Sequence, residues 1–402
     1  MNEFLTHWAF LIVPIVKIAI LVFIVLTVDA YLTWIERKVI AHIQARWGPH
    51  RVGPHGLLQP LADGVKFIFK EDPMPANADK VAYFLAPFIT LMLAMTSLAV
   101  IPFGPQHFTV FGYETHVGIA DVNISLLVLF AITALAVYGV ALAGWASNNK
   151  YSLLGGLRSS AQMISYELAL TLSVVGVLLI AGDFSLRNIV DQQAGSGRGL
   201  LSWNIFPQII GFVCFFIAAI AETNRVPFDL PEAESELTAG FHTEYASMKF
   251  AMFFIAEYTN MITASCLATI MFFGGWLSPF PDSWTFAHYL PSLLMIPFGL
   301  WVIFDGVKYE NLFGRLLLPG VGTVIAAIGA ALIVFPVAND AIQGIFWFLA
   351  KVFTFLFVYI WMRGTLPRFR YDQLMSFGWK FLLPVSIANV VLTSAVILWR
   401  MH

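Results

Sequence analysis

Charge is what this 402-residue chain has least of: 22 lysines and arginines and 24 aspartates and glutamates make up 11% of it, for a net charge of −2. So sparse and balanced a charge, with no lysine–arginine tract, excludes a nucleic-acid or other polyanion partner. Only two cysteines occur, Cys214 and Cys266, both inside apolar runs, where a thiol usually serves as a small buried hydrophobe. No cysteine or histidine spacing has the form of a zinc, haem or iron–sulfur site. Also missing are a repeat of 20–50 residues, a low-complexity tail and the apolar–polar alternation of barrel strands. The first apolar run follows no basic segment, carries Lys17 and meets no small-residue cleavage site, so it reads as a retained span and not as a signal peptide.

What is present is apolar. The chain is 59% hydrophobic with a mean hydropathy of +0.79. Runs of about 20 apolar residues cross a bilayer as helices, which satisfy every backbone group internally. The expected fold is therefore all-α, a polytopic transmembrane helix bundle in a single integral membrane domain over residues 1–402. Ten runs qualify, near 9–35, 80–101, 121–145, 161–182, 206–221, 249–275, 286–304, 316–338, 343–362 and 380–400. Lysine and arginine number seventeen in one set of alternate loops against two in the other, which predicts both termini outside and the charged loops cytoplasmic. Residues 57–70 set Leu57, Leu58, Leu61, Val65, Ile68 and Phe69 against Gln59, Asp63, Lys66 and Lys70. That pattern predicts an amphipathic helix on the cytoplasmic interface, with a packed surface helix as the alternative.

Several carboxylates fall where a bilayer makes them costly. Glu167 and Glu257 sit about 9 and 12 Å inside the cytoplasmic ends of their runs at 1.5 Å per residue. Asp29 lies two turns before Glu36 on one face of the first run, and Glu222 closes the fifth. A charge near the bilayer centre costs about 2.5–3.5 kcal/mol, so such residues face a bundle interior or a wet cavity, and together they suggest a proton path. The competing reading is that each pairs with a basic group and locks packing, with Lys17 and Lys351 as candidate partners. The segment AETNRVPFDLPEAESEL (221–237) then crowds Glu222, Asp229, Glu232, Glu234 and Glu236 beside Arg225, with Pro227 and Pro231 barring a continuous helix. By composition it reads equally well as a solvated acidic loop.

Four stretches resemble the H-type membrane subunit (subunit 1) of respiratory complex I, the NADH:quinone oxidoreductase. They are ERKVIAHIQARWGPHRVGPHGLLQPLADGVKFIFKED (36–72), GGLRSSAQMISYE (155–167), AETNRVPFDLPEAESELTAGFHTEYASMKFAMFFIAEY (221–258) and RGTLPRFRYDQLM (363–375). The resemblance implies eight family helices, a half-transporter-like fold and a place at the membrane end of a quinone tunnel. It implies that Arg37, Arg46, Asp63, Arg225, Phe228 and Asp229 line or support the tunnel. It implies that Glu222, Glu232, Glu234, Glu236, Glu167 and Glu257, with Asp29 nearby, carry protons from it. No covalent cofactor or metal is implied. Quinone, ubiquinone or menaquinone, is the substrate of the assembly. The implied partners are peripheral-arm quinone-site subunits, small membrane subunits, antiporter-like subunits and lipid, in a bacterial inner membrane. Val226 and His242 depart mildly from the family pattern, and His242 adds a group able to titrate beside the acidic loop. A larger departure, about 286–338, predicts an extra transmembrane hairpin. Three other readings stand beside this one: the homologous membrane subunit of an energy-converting hydrogenase or another complex I relative, a stand-alone proton or cation transporter, and a purely structural membrane anchor.

Overall fold

In the computed structural model of the chain, residues 2–105, 107–110, 113–195, 199–229, 239–281, 283–309 and 311–401 are described. Among them nine helices are long and apolar enough to cross a bilayer, and a tenth apolar helix is shorter. The first run becomes α1 (Asn2–Ile43), which continues past residue 35 and keeps Glu36 and Arg37 helical. A turn at 48–58 leads to the amphipathic α2 (Gln59–Phe69). Leu61, Val65, Ile68 and Phe69 are exposed along α2, so its apolar stripe is not buried in the bundle. That disposition fits a helix lying on a bilayer and not the packed alternative.

Next come α3 (Lys80–Ala99), an antiparallel pair β1 (His107–Val110) and β2 (Tyr113–His116), α4 (Ser125–Ala146) and α5 (Lys150–Ala181). The small hairpin is an addition to the all-helical expectation. α5 starts at residue 150, where Asn149 caps it by accepting from the Tyr151 amide, and not near 161. Glu167 consequently lies about 25 Å into the helix, far deeper than the apolar run alone indicates. A short α6 (Leu186–Ala194) precedes α7 (Ile209–Glu222).

With 14 residues, α7 is about 21 Å long and falls short of a full crossing. The chain before it is irregular after a single 3-10 turn and buries Trp203, Asn204 and Gln208, which a membrane protein tolerates where backbone polar groups find partners inside the protein. Gln193 supplies one, its Oε1 accepting from the amides of Asn204 and Gly274, both at 3.1 Å. Asn204 Nδ2 and Gln208 Nε2 in turn donate to Met271 O and Thr393 Oγ1.

After the acidic loop come α8 (Ser247–Phe272), the added pair α9 (Leu290–Val307) and α10 (Leu312–Val334), and α11 (Pro336–Thr365). The chain closes with α12 (Tyr371–Phe377), a wide turn at Gly378–Leu382 and α13 (Leu383–Met401). The expected extra hairpin thus exists. Its helices meet backbone to backbone, because a Cβ on Gly299 would come within 2.7 Å of Gly322 O. Small residues at such crossings are what let membrane helices approach closely. The same device joins α4 to α5 through Gly144 and Gly156, and α5 to the segment after the acidic loop through Gly155 and Gly240.

Among the described residues, neither Lys17 nor Lys351 pairs with a carboxylate of the candidate path. Lys17 Nζ donates to Thr115 Oγ1, His116 O and Gly118 O, tying α1 to the end of β2 and the loop after it. Lys351 Nζ donates to the carbonyls of Phe273, Gly275 and Leu277 and lies 4.1 Å from the Trp203 ring. Both fasten loops at the end of the bundle opposite the charged segments.

A Cβ on Gly155 would come within 2.6 Å of Gly240 Cα, a backbone atom unable to yield as a flexible side chain would. Gly155→Ala is expected to destabilise the protein by about 1–3 kcal/mol through overpacking. A lowered thermal midpoint of the detergent-solubilised protein checks this.

Candidate functional site

The carboxylates of α1, α7 and α8 and the loop after α7 converge at the charged end of the bundle. Arg225 is their centre. The loop carrying it is drawn in by Gln162 on α5, whose Nε2 donates to Ala221 O at 2.8 Å and Phe228 O at 2.9 Å. Asn224 Nδ2 donates to Ser159 Oγ on the same helix at 3.0 Å. Thus α5 pins the turn, and the turn buries the guanidinium to 5% exposure.

Arg225 Nη1 donates to both oxygens of Glu36, at 3.3 and 3.1 Å, and its Nε is ion-paired with Glu257. Its Cζ lies 4.2 Å from the centre of the Tyr258 ring, and the Tyr258 hydroxyl donates to Glu36 Oε2 at 2.8 Å. Arg363 at the end of α11 forms a further ion pair with Glu36. Two carboxylates and two guanidiniums therefore share one buried cluster. Charges removed from water need such pairing and hydrogen bonding to be tolerated.

Asp29, two turns along α1, is 2% exposed and accepts from Thr259 Oγ1 at 2.9 Å. Consecutive α8 residues, Tyr258 and Thr259, so engage Glu36 and Asp29 of α1. On the loop side, Arg368 Nη2 donates to Asp229 Oδ2 at 3.4 Å. Asp229 is also close enough to Glu257 for their charges to interact. Burial pushes the Asp229 carboxyl up to about 6, while the guanidiniums of Arg368 and Arg225 pull the other way. Phe228 beside it is buried between the Tyr166 and Phe369 rings, with centroids 5.8 and 5.7 Å away.

From Glu257 the polar region continues inward. One cavity of about 30 Å³ is lined by Glu257, Asn260, Glu222, Thr223, Asn224 and His242. A second of the same size is bordered by Glu222, Thr223, Asn260 and Thr263. Each has room for about one or two water molecules. Glu222 also feels the charge of Glu167 on α5. Glu257 and Glu222 therefore border one cavity, and Glu167 lies within electrostatic range of Glu222.

Other candidates stand apart from this group. Arg37 pairs with Asp63 at 2.6 Å and fastens α2 to α1, although its charge still reaches Tyr258. Arg46 is exposed and donates to Gln44, away from the buried cluster. Glu232, Glu234 and Glu236 lie outside the described residues. His242 is no titrating neighbour of the loop: packed among Phe241, Phe250 and Phe253, its imidazole is pushed down to about 3 by burial. Sequence reasoning passed over Glu36, Arg363, Tyr258, Gln162 and Asn260. Glu36 and Arg363 were visible inside the four motifs, but each marks the polar end of an apolar run, an ordinary place for a charge. Among the described residues no group of three or more His, Cys, Asp or Glu side chains is arranged to hold a metal ion.

The family follows from comparison with known proteins. The family model described as NADH dehydrogenase matches residues 16–394. This chain belongs to that family. It is 51% identical over 395 residues to a Solibacter usitatus protein named as an H subunit of NADH-quinone oxidoreductase, covering 97% of this chain and 98% of that protein. A Koribacter versatilis protein with the same kind of name is 49% identical over 397 residues, covering 96% and 97%. Its counterpart in Thermomicrobium roseum is 43% identical over 396 residues, covering 98% of each. These relatives carry the name of an oxidoreductase component and not that of a hydrogenase or a transporter. The family, the helical membrane bundle and the resemblance carried by the four motifs agree.

Removing Arg225 leaves Glu36 and Glu257 facing each other with one counter-charge fewer. Arg225→Ala is expected to cost about 3–5 kcal/mol, the penalty for an uncompensated buried charge. Arg225→Lys should recover only part of it, since an ammonium cannot span both carboxylates as the guanidinium fork does. Yield and thermal stability of the protein in membranes measure both.

Proposed function

We propose that this chain is the membrane subunit of a proton-translocating NADH:quinone oxidoreductase that borders the quinone site and passes its charge changes to buried carboxylates. The observation that supports the reading is the gathering of Arg225, Glu257 and Glu222 by an ion pair and a shared cavity, with Asp229 and Glu167 within electrostatic range of them. The partners are the other subunits of that complex. The substrate met at this end is an isoprenoid quinone, reduced by electrons arriving from a peripheral arm.

The chemistry suits these residues. Quinone reduction takes up two electrons and two protons and passes through anionic forms. An anion appearing beside the loop alters the field at Asp229 and Arg225, and charges act strongly where water is scarce. Arg225 already divides its charge contacts between Glu36, which it hydrogen-bonds, and Glu257, with which it is ion-paired. A change at Asp229 shifts that division and with it the proton affinity of the carboxylates. Waters in the two small cavities then carry protons between Glu257 and Glu222. Glu232, Glu234 and Glu236 extend the acidic path along the loop, and Asp29 serves it from α1. Arg37, Asp63 and Arg46 serve the tunnel at α2, whose exposed apolar stripe suits the bilayer surface through which a lipid-soluble quinone enters. The charged loops face the cytoplasm and both termini the outside.

The deciding experiment is Glu257→Gln in the assembled complex in native membrane vesicles. Quinone reduction coupled to proton uptake should fall by at least about tenfold, a change of roughly 1.4 kcal/mol in the barrier. NADH oxidation by a hydrophilic artificial acceptor should stay at the wild-type rate. Undiminished pumping would exclude the carboxylate path. Orientation has its own test: a cysteine placed at Asn311 should react with an impermeant thiol reagent from the cytoplasmic side only, and labelling from the opposite side would reverse the topology.

A further inference from the structure

The α9–α10 hairpin packs chiefly on itself, yet at its charged end it grips the turn that precedes α2. The His55 amide donates to Tyr309 Oη at 2.7 Å, and His55 Nε2 lies 2.7 Å from Asp305 Oδ2. The His55 and Tyr309 rings meet edge to face with centroids 5.2 Å apart. These contacts join residues about 250 positions apart in the chain.

The turn they hold is unusual in backbone terms. Gly53, His55 and Gly56 have φ of 73°, 51° and 78°. Glycine accepts that region freely, and at Gly56 it is required, since a Cβ would come within 2.4 Å of Pro49 O. Histidine has no such freedom, and a side-chain-bearing residue keeps a left-handed conformation where its surroundings over-determine it. The Tyr309 hydroxyl and the Asp305 carboxylate supply that determination. Tyr309 is itself fixed: a Cβ on Gly314 would come within 2.6 Å of its ring, so the glycine leaves the ring its place.

α2 begins three residues beyond this turn. Its other attachments are Arg37 to Asp63 from α1 and Ser247 Oγ to Phe67 O from α8, both at 2.6 Å. Three elements thus set the position of α2, and the added hairpin governs its leading end. We propose that Asp305 and Tyr309 are positioning residues for the lipid-side entrance: they fix the 53–56 turn, hold α2 at its depth on the bilayer and so set access for a long-tailed isoprenoid quinone. The inference rests on the reading of α2 as that entrance.

The test compares Tyr309→Phe and Asp305→Asn with the wild type in the assembled complex in native membranes. Each variant should raise KM for a long-tailed quinone about fivefold, the worth of one hydrogen bond, with kcat unchanged. KM for a short-tailed, water-soluble quinone and NADH oxidation by a hydrophilic acceptor should not move. Trp301→Leu, on the exposed side of α9, should change none of these. Unchanged KM for the long-tailed quinone, an equal rise for both quinones or loss of the hydrophilic-acceptor activity would each overturn the proposal. Asp63→Asn separates the two levels of the argument. If it raises the long-tailed KM while the hairpin variants do not, the clasp alone falls. If it too leaves that KM unchanged, the entrance reading falls with it.

Discussion

The buried Arg225 guanidinium is the interaction on which the charged end of this protein depends. It joins α1 through Glu36, α8 through Glu257 and Tyr258, and the loop that follows α7. None of these charges would be stable alone at such burial, because desolvation of an unpaired ion outweighs the packing it permits. Together they neutralise one another and bring three elements into register. The same residue that permits the fold thereby sits between a buried loop and the carboxylates of two helices.

This arrangement explains why irregular chain is admitted so deep in an apolar bundle. Gln162 takes up the carbonyls of Ala221 and Phe228 at the two ends of the loop after α7, and the loop's side chains reach Ser159 and the carboxylates. The segment before α7 uses Gln193, Asn204 and Gln208 in the same way. A helix interrupted at both ends can then be short without exposing polar backbone to lipid. Its C-terminal residue, Glu222, comes to rest at the wall of two small cavities.

Much of the architecture was legible in the apolar runs, because a bilayer fixes both the length and the composition of a spanning helix. The added hairpin and α2 were found at nearly their expected places for that reason. Helix ends were less legible: α5 gains eleven residues over its run because Ser, Gly and Arg at 155–160 are packed against neighbours that hydropathy does not see. The burial of Asp29 followed from its position, and Glu222 and Glu257 border internal cavities, while Glu167 is only half-buried on α5. Their partners did not follow from position, since pairing across elements is a property of packing. Hence Lys17 and Lys351 turned away from the carboxylates, Arg46 stayed apart from the cluster, and Glu36 emerged as a hub from an ordinary position in its motif.

The two lysines at the far end have a consequence of their own. Each ammonium occupies a nest of carbonyl or hydroxyl oxygens of the kind that elsewhere receives a free alkali cation. Here the cation is covalently part of the chain and cannot be exchanged, diluted or competed away. The loops on that face therefore keep their shape across a wide range of ionic strength, and the face is insulated from the salt composition of the medium it borders.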